Sequence, residues 1–255
     1  MYSSEYEREK YVNDYIISNC VYDDEAAYNN KTNGNVSTAY GVLVDGKAIC
    51  EGYARAFQLL CNKLGIECVS IAGMTGDVGH EWNCAKIDGN WYQVDVTWND
   101  SQDDFSNYYY FNLTDEQMYS SHRADDLFDE IEPDNYNNDE NLIGNLYVPE
   151  CNSTEYNYYN QTAPILYAFD EENDNTISNA LANSAVNGDN YFNIIVGDSL
   201  DFEDAYSTLV QDGYVVNYIE SANNMLWGEV ELDTSSYAYK NDTLRVITIV
   251  LNYIN

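Results

Sequence analysis

Cys50, His80 and Asp95 are the residues of this chain best suited to chemistry. They stand in the segments Gly46-Lys47-Ala48-Ile49-Cys50-Glu51-Gly52-Tyr53-Ala54, Gly79-His80-Glu81-Trp82-Asn83 and Val94-Asp95-Val96-Thr97-Trp98. A thiol, an imidazole and a carboxylate are the parts of an activated cysteine nucleophile: the thiolate attacks, the imidazole moves the proton, and the carboxylate fixes the imidazole's tautomer. Taken singly, a cysteine at a helix start or a lone histidine is more often structural. Three such residues fitting one scheme in order favour the catalytic reading. The chain has only two histidines, so the choice of base is narrow. His122 lies between Ser121 and Arg123, in what reads as a polar loop without a strand partner, and is placed outside the triad.

The elements that must position these residues follow from spacing. Residues 51–64 carry Tyr53, Ala54, Phe57, Leu60, Cys61 and Leu64 at helical intervals, and Gly65 ends the run. Cys50 therefore opens a helix, where unpaired N–H groups and the positive dipole end favour a thiolate over a thiol. His80 lies in a strand-like run ending near Ile87, and Asp88-Gly89 is a hairpin turn signal. Residues 90–98 read as the return strand. With a two-residue loop, Ile87 faces Asn90 and His80 faces Thr97, so Asp95 is the diagonal neighbour of His80, roughly 7–8 Å away at the backbone. A one-residue slip would put the two on opposite faces. Residues 73–79, with three glycines, read as a mobile loop; with the polar stretch 99–106 they are expected to border a cleft. Trp82 and Trp98 are candidates for its wall or for substrate contact. The Cys50 backbone N–H is one expected oxyanion donor.

These motifs resemble the transglutaminase-like superfamily, which shares its Cys-His-Asp arrangement with papain-type cysteine peptidases. The resemblance extends upstream to Ser37-Thr38-Ala39-Tyr40-Gly41 and downstream to Tyr110-Phe111-Asn112-Leu113, His122-Arg123 and Pro149-Glu150-Cys151-Asn152. It covers residues 5–160 or so. It implies an α+β fold: a transglutaminase-like/papain-like core in which the catalytic helix packs on an antiparallel sheet. It also implies Cys50, His80 and Asp95 as catalytic residues, Tyr40 as the second oxyanion donor, and a protein or peptide substrate. The implied reaction is thiol acyl transfer through a cysteine thioester. Water as acceptor gives a peptidase or deamidase, and an amine gives a transglutaminase. The polar, glycine-rich rim inclines the expectation toward water. Eukaryotic members use calcium, but no EF-hand-like loop occurs here, so no cofactor and no metal are expected. Two other classes compete: a non-catalytic transglutaminase-like binding module at a cell surface, and a redox-sensing thiol.

Composition narrows the partners. The net charge is −34, with only 10 Lys and Arg, which excludes nucleic acid because little could neutralise phosphates. No apolar run is long enough to span a bilayer, and no signal segment is evident. Abundant Tyr, Asn and Asp suits an extracellular or cell-surface bacterial protein. The six cysteines form no CxxC pair and no Cys/His cluster, which argues against zinc. Cys61, Cys68 and Cys84 read as small buried hydrophobes. Oligomeric state stays open.

The rest of the chain predicts a helix over 5–20, a short helix or turn over 38–44, strands over 66–72 and 108–113, and a helical turn over 114–118 capped by Thr114. Residues 125–163 read as a long irregular connection, with an acidic, Asn-rich insertion at 127–147. The expected division is a catalytic domain over 1–163 and a small α/β accessory domain over 164–255. The latter is predicted as strand 165–169, helix 176–185, strand 191–196, helix 202–211, strand 225–232 and strand 244–252. It has no histidine, cysteine or phosphate loop, so binding, docking or a structural role is its expected use.

Overall fold

The computed structural model of the chain describes residues 4–29, 34–101, 103–125, 148–228 and 230–254. The expected insertion at 127–147 lies outside them. The chain divides into two compact units, Met1–Asn157 and Tyr158–Asn255.

In the first unit, helix α1 (Glu5–Asn19) starts where Ser4 and Glu7 cap each other reciprocally, at 3.1 and 3.2 Å. Strand β1 (Val21–Tyr22) pairs in parallel with β2 (Lys47–Ala48), with a short helix α2 (Asp24–Tyr28) between them in sequence. Helix α3 (Cys50–Lys63) buries Tyr53, Ala54, Phe57 and Cys61, which is the core of the predicted stripe. It packs on an antiparallel sheet of order β6-β5-β4-β3-β7. The strands are β3 (Cys68–Thr75), β4 (Val78–Ile87), β5 (Asn90–Val94), β6 (Phe111–Leu113) and β7 (His122–Ala124). Asn83 of β4 donates to the Ala54 carbonyl of α3 at 3.0 Å, tying sheet to helix. The helical turn α5 (Asp115–Met118) is capped by Thr114 as expected. The fold is α+β, with the helix that opens on Cys50 laid on an antiparallel sheet.

Three local expectations are corrected. The presumed mobile loop at 73–79 is a tight hairpin, since β3 runs to Thr75 and β4 resumes at Val78. Only Gly76, at φ +58°, is needed for the turn. Gly73 serves another purpose: a Cβ there would strike the Arg123 carbonyl and the Trp82 ring. That glycine marks close approach of β7 rather than flexibility. The return strand is also shorter than expected. The turn and register hold from Ile87↔Asn90 to Asn83↔Val94, but the chain then leaves the sheet. Asp95 caps a helical turn, α4 (Val96–Asn99), so His80 never faces Thr97 and pairs only with Gly73 of β3. The third correction is His122, which lies in a strand paired with β3, its partner being Thr75.

The second unit holds a four-stranded sheet of order β10-β11-β9-β8, in which only β8–β9 is parallel. Its strands are β8 (Ile165–Leu166), β9 (Tyr191–Val196), β10 (Ala238–Asn241) and β11 (Val246–Val250). Helices Glu171–Asn187 and Val215–Leu226 pack on each other. The second of these was not expected, and the strand predicted at 225–232 does not form. Val215, Tyr218, Ile219, Ala222 and Leu226 are buried at helical spacing, a period masked by the β-branched Val215-Val216 pair. Among the described residues, no helix is long and apolar enough to cross a membrane.

Candidate active site

Cys50 is the first residue of α3 and is partly exposed. Its N-cap, Ile49, offers no side-chain acceptor to the first turn. An uncapped helix start leaves N–H groups for an anion at the thiol. The segment before it is held by Ile49 N–H donating to the Val36 carbonyl at 3.0 Å. Gly52 lies under that same carbonyl, and a Cβ there would run into it and into Ala48. This accounts for glycine two residues past the thiol.

His80 and Asp95 meet directly. His80 Nε2 lies 2.7 Å from Asp95 Oδ2, and both side chains are buried. Cys50 also acts electrostatically on His80. With Nε2 taken by Asp95, the nitrogen left for the thiol is Nδ1. Burial opposes charge on His80, but the hydrogen bond and charge of Asp95, joined by Cys50, outweigh it and raise its pKa to about 10. For Asp95, burial is likewise overcome by hydrogen bonds from His122 and His80 and by their charge, holding the carboxyl at about 2. Asp95 uses both oxygens. Oδ1 accepts from the Thr97 and Trp98 N–H groups at 2.9 and 3.1 Å, capping α4. This cap is why the strand stops at Val94 and the carboxylate turns toward His80.

His122, set aside on sequence grounds, reaches the same carboxylate. Its Nε2 lies 3.0 Å from Asp95 Oδ2, and its Nδ1 lies 2.9 Å from Ser121 Oγ. It is buried among Trp98, Trp82 and Tyr110, with ring centroids at 4.6, 5.1 and 5.7 Å. Three residues, Ser121-His122-Arg123, carry too little alternation to reveal a strand. One ligand atom from each of His80, Asp95 and His122 lies within 4.8 Å of the others. Their N···O separations of 2.7 and 3.0 Å are hydrogen-bond lengths. A zinc-type ion, with bonds of about 2.0–2.2 Å, would have to push them apart, so the cluster reads as shared protons.

The remaining expected residues are placed unevenly. Trp98 is half-exposed beside His80, ring centroids 5.8 Å apart, and can border a substrate. Trp82 is buried and its indole N–H donates to Gln93 Oε1 at 2.7 Å, so it packs the histidines and faces no solvent. Tyr40 is 53% exposed. The tyrosine close to the thiol is Tyr22, whose hydroxyl interacts with both the backbone and the side chain of Cys50. Burial and the adjacent Cys50 push its pKa up to about 12. Parallel pairing of β1 with β2 sets Tyr22 beside Ala48, two residues before Cys50. A two-residue strand carries no periodicity, so no sequence signal marked it. Cys61, Cys68 and Cys84 are buried free thiols, in line with the expectation.

Comparison with known proteins gives the same reading of the first unit. Residues 2–96 match the family described as the transglutaminase-like superfamily. The Kyphoscoliosis peptidase of Mus musculus is 29% identical over 146 residues, covering 52% of this chain and 22% of its own length. Its Homo sapiens counterpart is 29% identical over 108 residues, covering 38% and 16%. The chain thus spans about a fifth of the length of the curated relatives it matches. A solved TGase structure aligns over 40% of this chain and 28% of its own, at 25% identity and a TM-score of 0.35. Cys50, His80 and Asp95 all lie within the residues 2–96 that match the transglutaminase-like superfamily.

Proposed function

We propose that the first unit is a cysteine acyltransferase or hydrolase acting on carboxamide or peptide carbonyls of proteins or peptides. The single observation that carries this reading is the set Cys50, His80 and Asp95, with the imidazole bonded to the carboxylate at 2.7 Å and acted on by the Cys50 thiol at the start of its helix. The Cys50 sulfur attacks the carbonyl carbon. The oxyanion is met by the Cys50 backbone N–H and the Tyr22 hydroxyl, so Tyr22 takes the role expected of Tyr40. The C–N bond then breaks, the amine leaves with the proton held on His80, and a thioester remains. Water or a second amine attacks that thioester and yields its proton to His80. The C–S bond breaks and the thiol is restored. Asp95 keeps the imidazole in the tautomer that faces sulfur.

The relatives named as peptidases incline the acceptor toward water. The test is incubation of the protein with glutamine-containing peptides and a labelled primary amine, read by mass spectrometry. The expected result is an acyl adduct on Cys50, released mainly as free acid, and no turnover by Cys50→Ala or His80→Ala. Dominant amine incorporation would move the reading to a transglutaminase. The absence of any adduct, with a thiol no more reactive than Cys20, would leave a non-catalytic binding module.

A further inference from the structure

Asp95 Oδ2 is shared. It accepts from His80 Nε2 at 2.7 Å and from His122 Nε2 at 3.0 Å, while Oδ1 is fully used by two backbone N–H groups. An ionised carboxylate only accepts, so both Nε2 atoms must carry protons. For His122 this fixes the tautomer: Nδ1 is the acceptor, and Ser121 Oγ donates to it at 2.9 Å. The donors then run one way, from Ser121 to His122 to Asp95, and meet the bond from His80 on one oxygen. Nothing in the three-residue scheme needs this second imidazole, yet it is buried and held on three sides by aromatic rings.

We infer that His122 is a positioning residue for the Cys50–His80 pair, fixing the Asp95 carboxylate and dividing its hydrogen-bonding capacity between two imidazoles. The inference rests on the reading of Cys50 as an activated nucleophile. Its consequence is a moderated base. A carboxylate serving His80 alone would hold the imidazolium more tightly, and His80 would give its proton to a leaving amine less readily. The titratable groups around Asp95 are His80 from β4, His122 from β7 and the Tyr110 hydroxyl; Cys50 faces His80 from α3.

The test is the pH–rate profile of Cys50 alkylation by iodoacetamide on the full chain, followed by mass spectrometry. It compares the wild type with His122→Phe, which keeps a ring without a donor, and His122→Gln, which restores an N–H near the Nε2 position. Wild type should show two inflections, the upper one from His80. In His122→Phe the upper inflection should move up by about one pH unit, the size expected when one charge-assisted hydrogen bond is withdrawn. His122→Gln should return it toward wild type. Should His122→Phe fail to fold, Ser121→Ala removes the bond that fixes the tautomer, with a longer one to the Met118 carbonyl, and should shift the same limb by less. Superimposed profiles for wild type, His122→Phe and Ser121→Ala would overturn the role of His122 while leaving Cys50 an activated thiol. A wild-type profile with one inflection in the ordinary cysteine range would overturn both readings.

Discussion

The two units bury different kinds of side chain. The second unit closes on an apolar cluster that includes Leu181, Ile194, Leu209, Ile219 and Ile247, and among its described residues Ser178 and Thr248 are the buried residues of polar type, tyrosines apart. The first unit buries Glu9, Asn13, His80, Asn83, Gln93, Asp95, Asn99, Asn112 and His122, among others. Most of these bond to one another or to backbone across elements distant in sequence. Asn99 donates to Asn13 at 3.0 Å, Asn112 to Glu9 at 2.8 Å, and Gln93 accepts from Trp82. Buried polar groups cost stability unless satisfied, whereas apolar packing contributes it without directional demands. The first unit therefore gives up easy stability for fixed orientation around Cys50, and the second is built as a plain fold.

The sharpest way to break this contrast is Asp95→Asn. The amide can still accept from the Thr97 and Trp98 N–H groups, so the turn should survive. Its NH2 group, however, would face two imidazole N–H donors. His80 must then change tautomer and present an N–H, in place of a lone pair, to sulfur. Acyl transfer should fall by about 10⁴-fold with a native circular dichroism spectrum. A loss below tenfold would mean that orientation is not what the polar core provides.

Truncating the other core should do the opposite. Leu181→Ala removes a fully buried side chain from the second unit and should cost about 2–5 kcal/mol in its unfolding by denaturant. The alkylation rate of Cys50 should stay unchanged. A parallel fall in that rate would show that the units do not divide stability from chemistry in this way.

The smallest effect concerns Glu9, whose pKa burial raises to about 8, against hydrogen bonding by Asn112. Folded protein keeps a proton there that the unfolded chain releases above about 4.5, so this group's contribution to stability is lost as pH rises from 4.5 through 8. Glu9→Gln cannot ionise. Its melting temperature should gain on the wild type steadily across that window. A constant offset between the two proteins would mean that Glu9 titrates normally.

Much of the site was legible without coordinates. Cys50 at a helix start followed from residue periodicity and Gly65. The Asp88-Gly89 turn followed from residue type, and its register then carried His80 and Asp95 to one end of one hairpin. These are local properties, set by side-chain spacing over one or two elements. The way Asp95 arrives was not legible, because capping a turn competes with extending a strand, and the peptide N–H groups that decide it belong to residues still to be folded. The second unit shows the same limit. A helical period was present over residues 215–226, but it was masked by the β-branched pair at its start and went unassigned, and the helix packs against Glu171–Asn187.

By itself the sequence determined the order of Cys50, His80 and Asp95, the helix that opens on Cys50 and the net charge of −34. Each of these depends on composition or short-range spacing. Only the tertiary structure decided that Tyr22 lies close to the thiol, that Gly73 admits a neighbouring strand, and that His122 shares Asp95 with His80. Those three contacts join segments separated by 27 to about 50 residues. Hydrogen-bond geometry between such segments is set by how whole elements dock, and a linear pattern carries no record of it.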